Sequence, residues 1–579
     1  MHGWLCNYIA TRWTFVALIL ASATTTYGNG WTLPPRQLGI LKVRGGGDDG
    51  DTTVDGKTDS KTNGEDAMQE LRKKWSDITP ATPTISYPVT DDILSDQNTL
   101  ADIDDNHETP TSKEAEKQPT KAIIIMDGFS PYHGQYLSHA ARHVYGAAVI
   151  HILSDFMTRY LYQVQEHIDH LSSRLPNLDR GEDVEAWMAL LPPSFEICGI
   201  YCESDSGLGD AERLGVALGL YPRCHDGVNA ARRDKFLMNK VVAEVGGLDV
   251  VKQQSCKTLE EAEDFARKLG LSEEEEDDDT KDNTSDVLVV VKPLRGVASD
   301  DVHLCSNLPS LRKAFAKIMH SPVFGSSTAA KHEQVLVQEF ATGVEYAIDV
   351  VCRDGERKAA ALWKYDKRAV NGAPFVYHST QLVSAEGEVE QEICKYVFNA
   401  LEALGIRWGL SHVEVIAETS SEGKIRVRLV EVNCRQHNTN FMPICNACVG
   451  YNALDLVLAA HLGQNSEESD NQSSQGIPWE EVPTLPSTRA YGAIVHFVSH
   501  VEGKISRIRY DVLEEMEDLS SVMDLYVYPQ FMDVGSPIQK TVDIRSDTGW
   551  AHLMNNDEEE YQRDYTKLVE LMKDMFEVE

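Results

Sequence analysis

The sequence predicts an α/β layer followed by a larger antiparallel α+β body. Three observations carry this. Compact apolar strands alternate with loops and amphipathic helices between residues 121 and 220. From residue 287 the strands instead follow one another closely, one pair joined by a tight turn. A polar, proline-containing connector at 464–487 then precedes a last block of strands ending in an amphipathic helix. Strand–loop–helix units build parallel sheets, whereas strands joined by tight turns pair antiparallel.

The chain starts with segments that belong to neither layer. Residues 1–47 hold Arg12, Arg36, Lys42 and Arg44 but no acid before Asp48. WTFVALILAS (13–22) is an apolar run behind a basic residue, with Ala21, Ala23 and Gly28 as small residues at its end. This is the layout of a cleavable signal peptide over 1–28, and the run is too short to span a bilayer. The acid-free stretch 29–47 resembles a transit peptide. Delivery is therefore expected through the secretory route, either to a complex plastid or to a secretory lumen. Residues 48–118 are rich in Asp, Glu, Thr, Ser and Lys without an aliphatic period, and are expected to form a disordered acidic linker.

At Lys121 the character changes. KAIIIM (121–126) reads as a strand, DGFSPYHG (127–134) as a loop, FEICGIYC (195–202) as a second strand and DAERLGVALGL (210–220) as a helix. Together they define an N-terminal α/β domain over 119–228. A core over 229–463 follows, with a lobe at about 235–340. It opens with helical patterns at 231–247 and 257–270. The run EEEEDDDTKDNTS (273–285) fits neither, because like charges repel, and is expected as a solvated surface insertion. VLVVVKPL, VHLC, QVLVQEF, EYAIDVVCR and KAAALWKYDK are strands; 388–404 is a helix; WGLSHVEVIAE and KIRVRLVEVN form a hairpin turning at 421–423. The last block, 488–579, offers strands AYGAIVHFV, KISRIRY and DLYVYP before its helix.

Composition narrows the partners. A formal net charge of −37 lacks the clustered Lys and Arg that a phosphate backbone or an anionic membrane demands. Eleven cysteines in 579 residues are too sparse for a disulfide framework. Cys434, Cys445 and Cys448 beside His437 have irregular spacing and no second CxxC pair, so they read as buried thiols rather than a zinc site. GLGDAE (207–212) places Glu212 where a dinucleotide fingerprint needs its third glycine, and there is no Walker A sequence.

Another phosphate-binding design is present in pieces. RRDK puts Lys235 at a helix start. VVVKPLRGVASDDV puts Lys292 on a strand before a loop with Gly296 and Ser299. QEFATGVEYAID supplies Glu339 and Glu345 across a glycine-containing bend. HVEVIAE and RLVEVNCR end with Glu414, Glu431, Asn433 and Arg435. Strand alternation puts Glu431 and Asn433 on one face, with Glu414 arriving from the neighbouring strand. Two acids in apolar strands are costly unless solvated, paired or metal-bound, and hard oxygen donors suit Mg²⁺.

In order and spacing these pieces resemble the ATP-grasp superfamily over most of residues 121–550. The resemblance implies an ATP-grasp fold: the N-terminal parallel α/β domain, a two-lobed nucleotide-binding core and a small C-terminal α+β subdomain. It implies that Lys235 and Lys292 contact ATP phosphates, that the loop 296–302 with Ser299 folds over them, and that the Gln338–Ala341 segment, with Glu339, reads the adenine edge. It further implies Glu345 at the ribose, Glu414, Glu431 and Asn433 on Mg²⁺ (or Mn²⁺), and Arg435 as the catalytic cation. WKYDKRAVNGAPFVYHSTQLV (363–383) is similar to the substrate-side segment of the L-amino-acid (dipeptide) ligase branch, which implies Glu203 and His378 near the substrate. The function implied is a carboxylate–amine ligase acting through an acyl phosphate on small molecules, with a homodimer allowed. Two other readings stay open: a bicarbonate-activating, biotin-carboxylase-like enzyme, and an ATP-binding regulator without turnover. Asp300-Asp301, where a glycine is usual, and Gln436-His437-Asn438 after Arg435 keep the last one open.

Overall fold

A computed structural model describes residues 119–128, 133–154, 157, 194–220, 229–273, 287–296, 301–323, 330–437, 441–463 and 476–579. The expected signal, transit-like stretch and acidic linker lie outside these residues, as do 274–286 of the acidic insertion and 464–475 of the connector.

Strand β1 (Thr120–Met126) is fully buried from Ala122 to Met126, as a strand covered on both faces must be. Helix α1 (Gly134–His143), β2 (Ala148–Ile152), β3 (Phe195–Cys202) and α2 (Leu208–Ala217) follow. β2 and β3 flank β1 in parallel, which gives the α/β layer.

The helix expected over 231–247 divides. A 3-10 turn at Asn229–Arg232 leads into α3 (Lys235–Glu244). The Asp234 carboxylate accepts the N–H groups of Phe236 and Leu237 at 3.0 Å each, so a new helix starts there.

The next lobe comprises β4 (Gln253–Cys256), α4 (Leu259–Leu269), β5 (Val289–Pro293), β6 (His303–Cys305), α5 (Leu308–Ile318) and β7 (Val335–Glu339). Its antiparallel sheet runs β4-β7-β5-β6 and shares a separate apolar core with α4 and α5. Glu273, the first residue of the acidic insertion, is held by Arg267 at 3.0 Å and Arg312 at 2.8 Å.

The second lobe begins with β8 (Val344–Arg353), β9 (Glu356–Val370), β10 (Ala373–Leu382), α6 (Glu388–Ala403), β11 (Gly409–Thr419) and β12 (Ile425–Asn433). After α7 (Met442–Cys448) and α8 (Ala453–Leu462), the C-terminal segment adds β13 (Tyr491–His496), β14 (Gly503–Ile508), α9 (Tyr510–Glu517) and β15 (Val522–Val527). It ends with β16 (Pro537–Ile538), β17 (Gly549–Asn555), α10 (Glu558–Leu571) and β18 (Phe576–Val578). β13, β17 and β15 continue the core's own sheet, in the order β12-β11-β8-β9-β10-β13-β17-β15, while β14, β16 and β18 form a small separate sheet. The period-2 pattern missed β17 because its Gly549–Leu553 run is buried throughout, between β13 and β15.

Helix α8 is buried along its whole length between the N-terminal layer and the large sheet, packing on Ile123 and Ile125 on one side and Val351 and Leu410 on the other. A helix buried all round is apolar all round. That accounts for the apolar composition of the bent α7–α8 pair; among the described residues no single helix is long and apolar enough to cross a membrane.

Candidate active site

Between the two lobes lies a cleft of about 540 Å³, the size of a small-molecule site. Lys292 and Val290 line it from β5, Gln338 to Ala341 from the segment joining the lobes, and Glu345, Glu414 and Glu431 from the large sheet. Lys235 reaches it from the start of α3.

The large sheet sets the carboxylates. β11 and β12 pair antiparallel with Glu414 directly opposite Glu431, and the Asn433 amide donates to Glu431 Oε1 at 3.0 Å. The Lys235 ammonium rests on the Glu431 carboxylate and also donates to Gly296 O at 3.2 Å. Its own backbone N–H donates to Leu294 O at 3.0 Å, which ties α3 to the loop behind Lys292. Lys292 is buried, and this burial, with Lys235 close by, pulls its ammonium down to about 8 against the attraction of Glu431, Glu414 and Glu345. Burial would push the Glu414 carboxyl up. The hydrogen bond from His412 and the charges of His412, Lys367 and His437 outweigh it and hold it at about 2.

The nucleoside end is more occupied than the sequence implies. Gln338 Nε2 donates to Gln253 Oε1 at 2.8 Å, and the N–H groups of Glu339 and Phe340 donate to Lys252 O and Leu288 O, which removes those donors from base recognition. Glu345 is gripped on both oxygens by Lys367 Nζ at 2.7 Å; burial raises its carboxyl and Lys367 opposes that. Between these elements Gly343 adopts φ +129°, where a Cβ would stand 2.4 Å from Ala417 O.

Ser299 and Asp300 lie outside the described residues. Asp301 lines the cleft with φ 54°, the left-handed conformation that a glycine would supply, and its carboxylate pairs with Lys317 at 2.9 Å. An acid here would repel phosphate, and the Lys317 ammonium offsets its charge.

Four of the described sequence-predicted residues are not among those lining the cleft: Asn433, whose amide reaches Glu431, and Arg435, Glu203 and His378. Arg435 is buried and donates from Nε to Asp205 Oδ1 at 2.6 Å, so the N-terminal layer holds it from across the chain. Glu203 lies 3.4 Å from His133 Nδ1; both Glu203 and Arg435 act on the buried Tyr201 phenol, which burial chiefly pushes up. His378 falls at a register shift between Tyr377 and Ser379. Tyr377 packs against Lys367 near Glu345, whereas His378 turns to Val376 O and the surroundings of Asp366, Arg368 and His500. The bulge re-aims it away from the cleft.

Several polar residues at the site carried no sequence motif. Asp205 is one. Behind Glu414 lies another group: Asp349 on β8, His412 on β11 and His437 after β12, all buried, with the two imidazole centroids 3.3 Å apart. His412 is raised to about 8 and His437 lowered to about 4; burial lowers both, and hydrogen bonds to Asp349 and Glu414 reverse it only at His412. The ligand atoms of Asp349, His412 and His437 lie within 4.8 Å of one another, and the group contains no cysteine. Cys434, Cys445 and Cys448 form no disulfide. The signal for Asp349 and His412 was available: both are polar residues inside apolar strands. On the rim, Phe375 stacks with Phe340 at 6.2 Å, and Asp543 and Arg545 come from the C-terminal segment.

Comparison with known proteins agrees with this architecture. The family described as the ATP-grasp domain matches residues 285–441. A dapdiamide A synthase from Enterobacter agglomerans is 25% identical over 343 residues, covering 59% of this chain and 73% of that protein. The crystal structure of an L-amino acid ligase from Bacillus licheniformis superposes with a TM-score of 0.53 at 18% identity, covering 80% of this chain and 100% of the other. Residues 285–441 therefore carry an ATP-grasp domain, and the chain as a whole is similar to the carboxylate–amine ligases.

Proposed function

We propose that this ATP-grasp ligase, of the carbon–nitrogen bond-forming, ADP-producing kind, activates a small carboxylate as an acyl phosphate and joins it to an amine, with amino-acid-like substrates. The observation that carries the reading is Glu414 directly opposite Glu431 on the wall of a cleft that Lys235 and Lys292 also line. The similarity to a dapdiamide A synthase and to the fold of an L-amino acid ligase supports the amino-acid side of it.

The donor set fits a divalent cation. Two carboxylates and an amide offer hard oxygens, and a cation, the Lys235 ammonium, already lies on Glu431. Glu414, Glu431 and Asn433 would hold Mg²⁺ (or Mn²⁺), which when bound would supply charge neutralisation at the triphosphate.

The chain's own groups do the rest. Lys292 and Lys235 neutralise phosphate oxygens as point charges from two different elements. The remaining backbone groups of the Gln338–Ala341 segment and Glu345 orient the nucleoside. Attack of the substrate carboxylate on the γ-phosphorus forms an acyl phosphate and releases ADP. Attack of the amine on its carbonyl carbon then expels phosphate and leaves an amide. Arg435, aimed by Asp205, stabilises the charge that builds on the departing phosphate. Positioning and electrostatics supply the rate, so no nucleophilic side chain is required.

The test is ADP and phosphate release by the full chain with Mg-ATP and amino acids, singly and in pairs. Release that depends on amino acids is expected, and Glu431→Gln should lower it at least about 100-fold with an unchanged melting temperature. Turnover with bicarbonate alone would replace the reading with a carboxylase. ATP binding without turnover on any substrate would make the protein a regulator.

A further inference from the structure

The large sheet carries a polar row beneath Glu414. Asp349 on β8, His412 on β11 and Asn433 on β12 are direct cross-strand partners, and His412 lies two residues from Glu414, on the same face of its strand. His412 Nδ1 is 3.1 Å from Asp349 Oδ1, and its Nε2 is 3.3 Å from Glu414 Oε1. Asp349 and His412 are 1% and 3% exposed. Asp349 lies between Ile348 and Val350 on β8, and Val413 follows His412 on β11, so apolar packing would have sufficed here. A buried carboxylate and imidazole are retained at a cost.

The bonding around Asp349 shows what the arrangement does. Its Oδ2 accepts from Trp363 Nε1 at 2.8 Å and lies 3.1 Å from His437 Nδ1, which leaves Oδ1 to His412. The His412 ring is thus fixed in its plane from one side. With an oxygen acceptor at each nitrogen, the ring is placed to donate through both. Tyr365 OH, 3.4 Å from His412 Nε2 and 3.5 Å from Glu414 Oε1, closes the same corner.

We propose that His412, anchored by Asp349, is a positioning residue for the divalent ion: its Nε2–H holds one oxygen of Glu414 and leaves the other for the metal. The inference rests on the assignment of Glu414 as a metal ligand. Hydrogen-bonded partners of this kind limit the rotamers open to a ligating carboxylate, and their loss weakens metal binding by roughly 10–100-fold. Asp349, His412 and His437 could instead hold a metal themselves, since their ligand atoms lie within 4.8 Å of one another. The hydrogen bonds argue otherwise, because such a metal would have to displace the N–H groups that two imidazoles direct at Asp349.

The experiment is Mn²⁺ titration of the full chain by electron paramagnetic resonance, with a non-hydrolysable ATP analogue present. No turnover is needed. His412→Asn keeps a donor near Asp349 but none at Glu414, and is expected to weaken Mn²⁺ binding about 10-fold or more. His412→Gln, whose amide nitrogen reaches the Nε2 position, should restore it to within about threefold of the native protein. Trp363→Phe removes a different donor to Asp349; it should lower the melting temperature and leave Mn²⁺ affinity unchanged. If His412→Asn does not fold, Asp349→Asn is read in its place and should weaken Mn²⁺ at least about threefold.

Native Mn²⁺ affinity in His412→Asn would overturn the inference, as would equal weakening in all three variants, which is the mark of a merely structural role. Mn²⁺ retained in Glu431→Gln but lost in His437→Asn would assign the ion to the triad instead. A native chain that binds no Mn²⁺ with nucleotide would remove the ligase reading itself, and this inference with it.

Discussion

Burial keeps Lys292 in a condition that bound nucleotide must reverse. Its ordinary value is 10.5; burial, with Lys235 nearby, holds it at about 8. That difference corresponds to roughly 3 kcal/mol disfavouring the ammonium in the free protein. A triphosphate favours the ammonium, so bound nucleotide should lift the value back up. The sign follows: affinity is at its full value below pH 8 and falls as pH rises through it, because binding must then take up a proton. Between about pH 7 and about pH 9.5 the affinity should drop roughly 30-fold, approaching tenfold per pH unit at the alkaline end. The nucleotide contributes little slope of its own, since a terminal phosphate ionises near pH 6, below this window. The assay is calorimetric titration of an ATP analogue at fixed free Mg²⁺, in buffers of different ionisation heat. Proton uptake should approach one per nucleotide at about pH 9. Lys292→Arg should flatten the profile, because a guanidinium stays charged throughout. A flat native profile, or the same slope in Lys292→Arg, would refute the assignment of Lys292 to the phosphates.

Two other substitutions test separate parts of the site. Arg435→Lys keeps the charge but loses the planar fork that meets Asp205; kcat should fall about 100-fold with little change in the KM for ATP, measured by steady-state phosphate release. Gly343→Ala forces a Cβ towards Ala417 O at a φ that alanine adopts only under strain, and should cost roughly 1–3 kcal/mol, read from the denaturant midpoint.

Much of this protein was written locally. After Lys121, AIIIM (122–126) is apolar without interruption, the pattern of a strand covered on both faces. Lys292 ends an apolar strand, and Glu414, Glu431 and Asn433 interrupt two others at a spacing of two, so their common face follows from the pleat. Hydrophobic period and buried charge are properties of a few consecutive residues, and consecutive residues are what a sequence displays. The contacts that complete the site are of another kind. Asp205 meets Arg435 across 230 positions, and Asp349 meets His412 across 63. These meetings depend on which strands are neighbours and in what register, and a local period fixes neither. The same holds where the sequence misled. His378 has the composition of a pocket residue, but a bulge turns it away; β17 lacks alternation because both its faces are covered, Trp550 packing in one apolar cluster and Ala551 and Leu553 in another. Local chemistry determined which residues could act, and the strand order β12-β11-β8-β9 decided which of them stand together, because pairing between distant segments is set by the packing of the whole sheet.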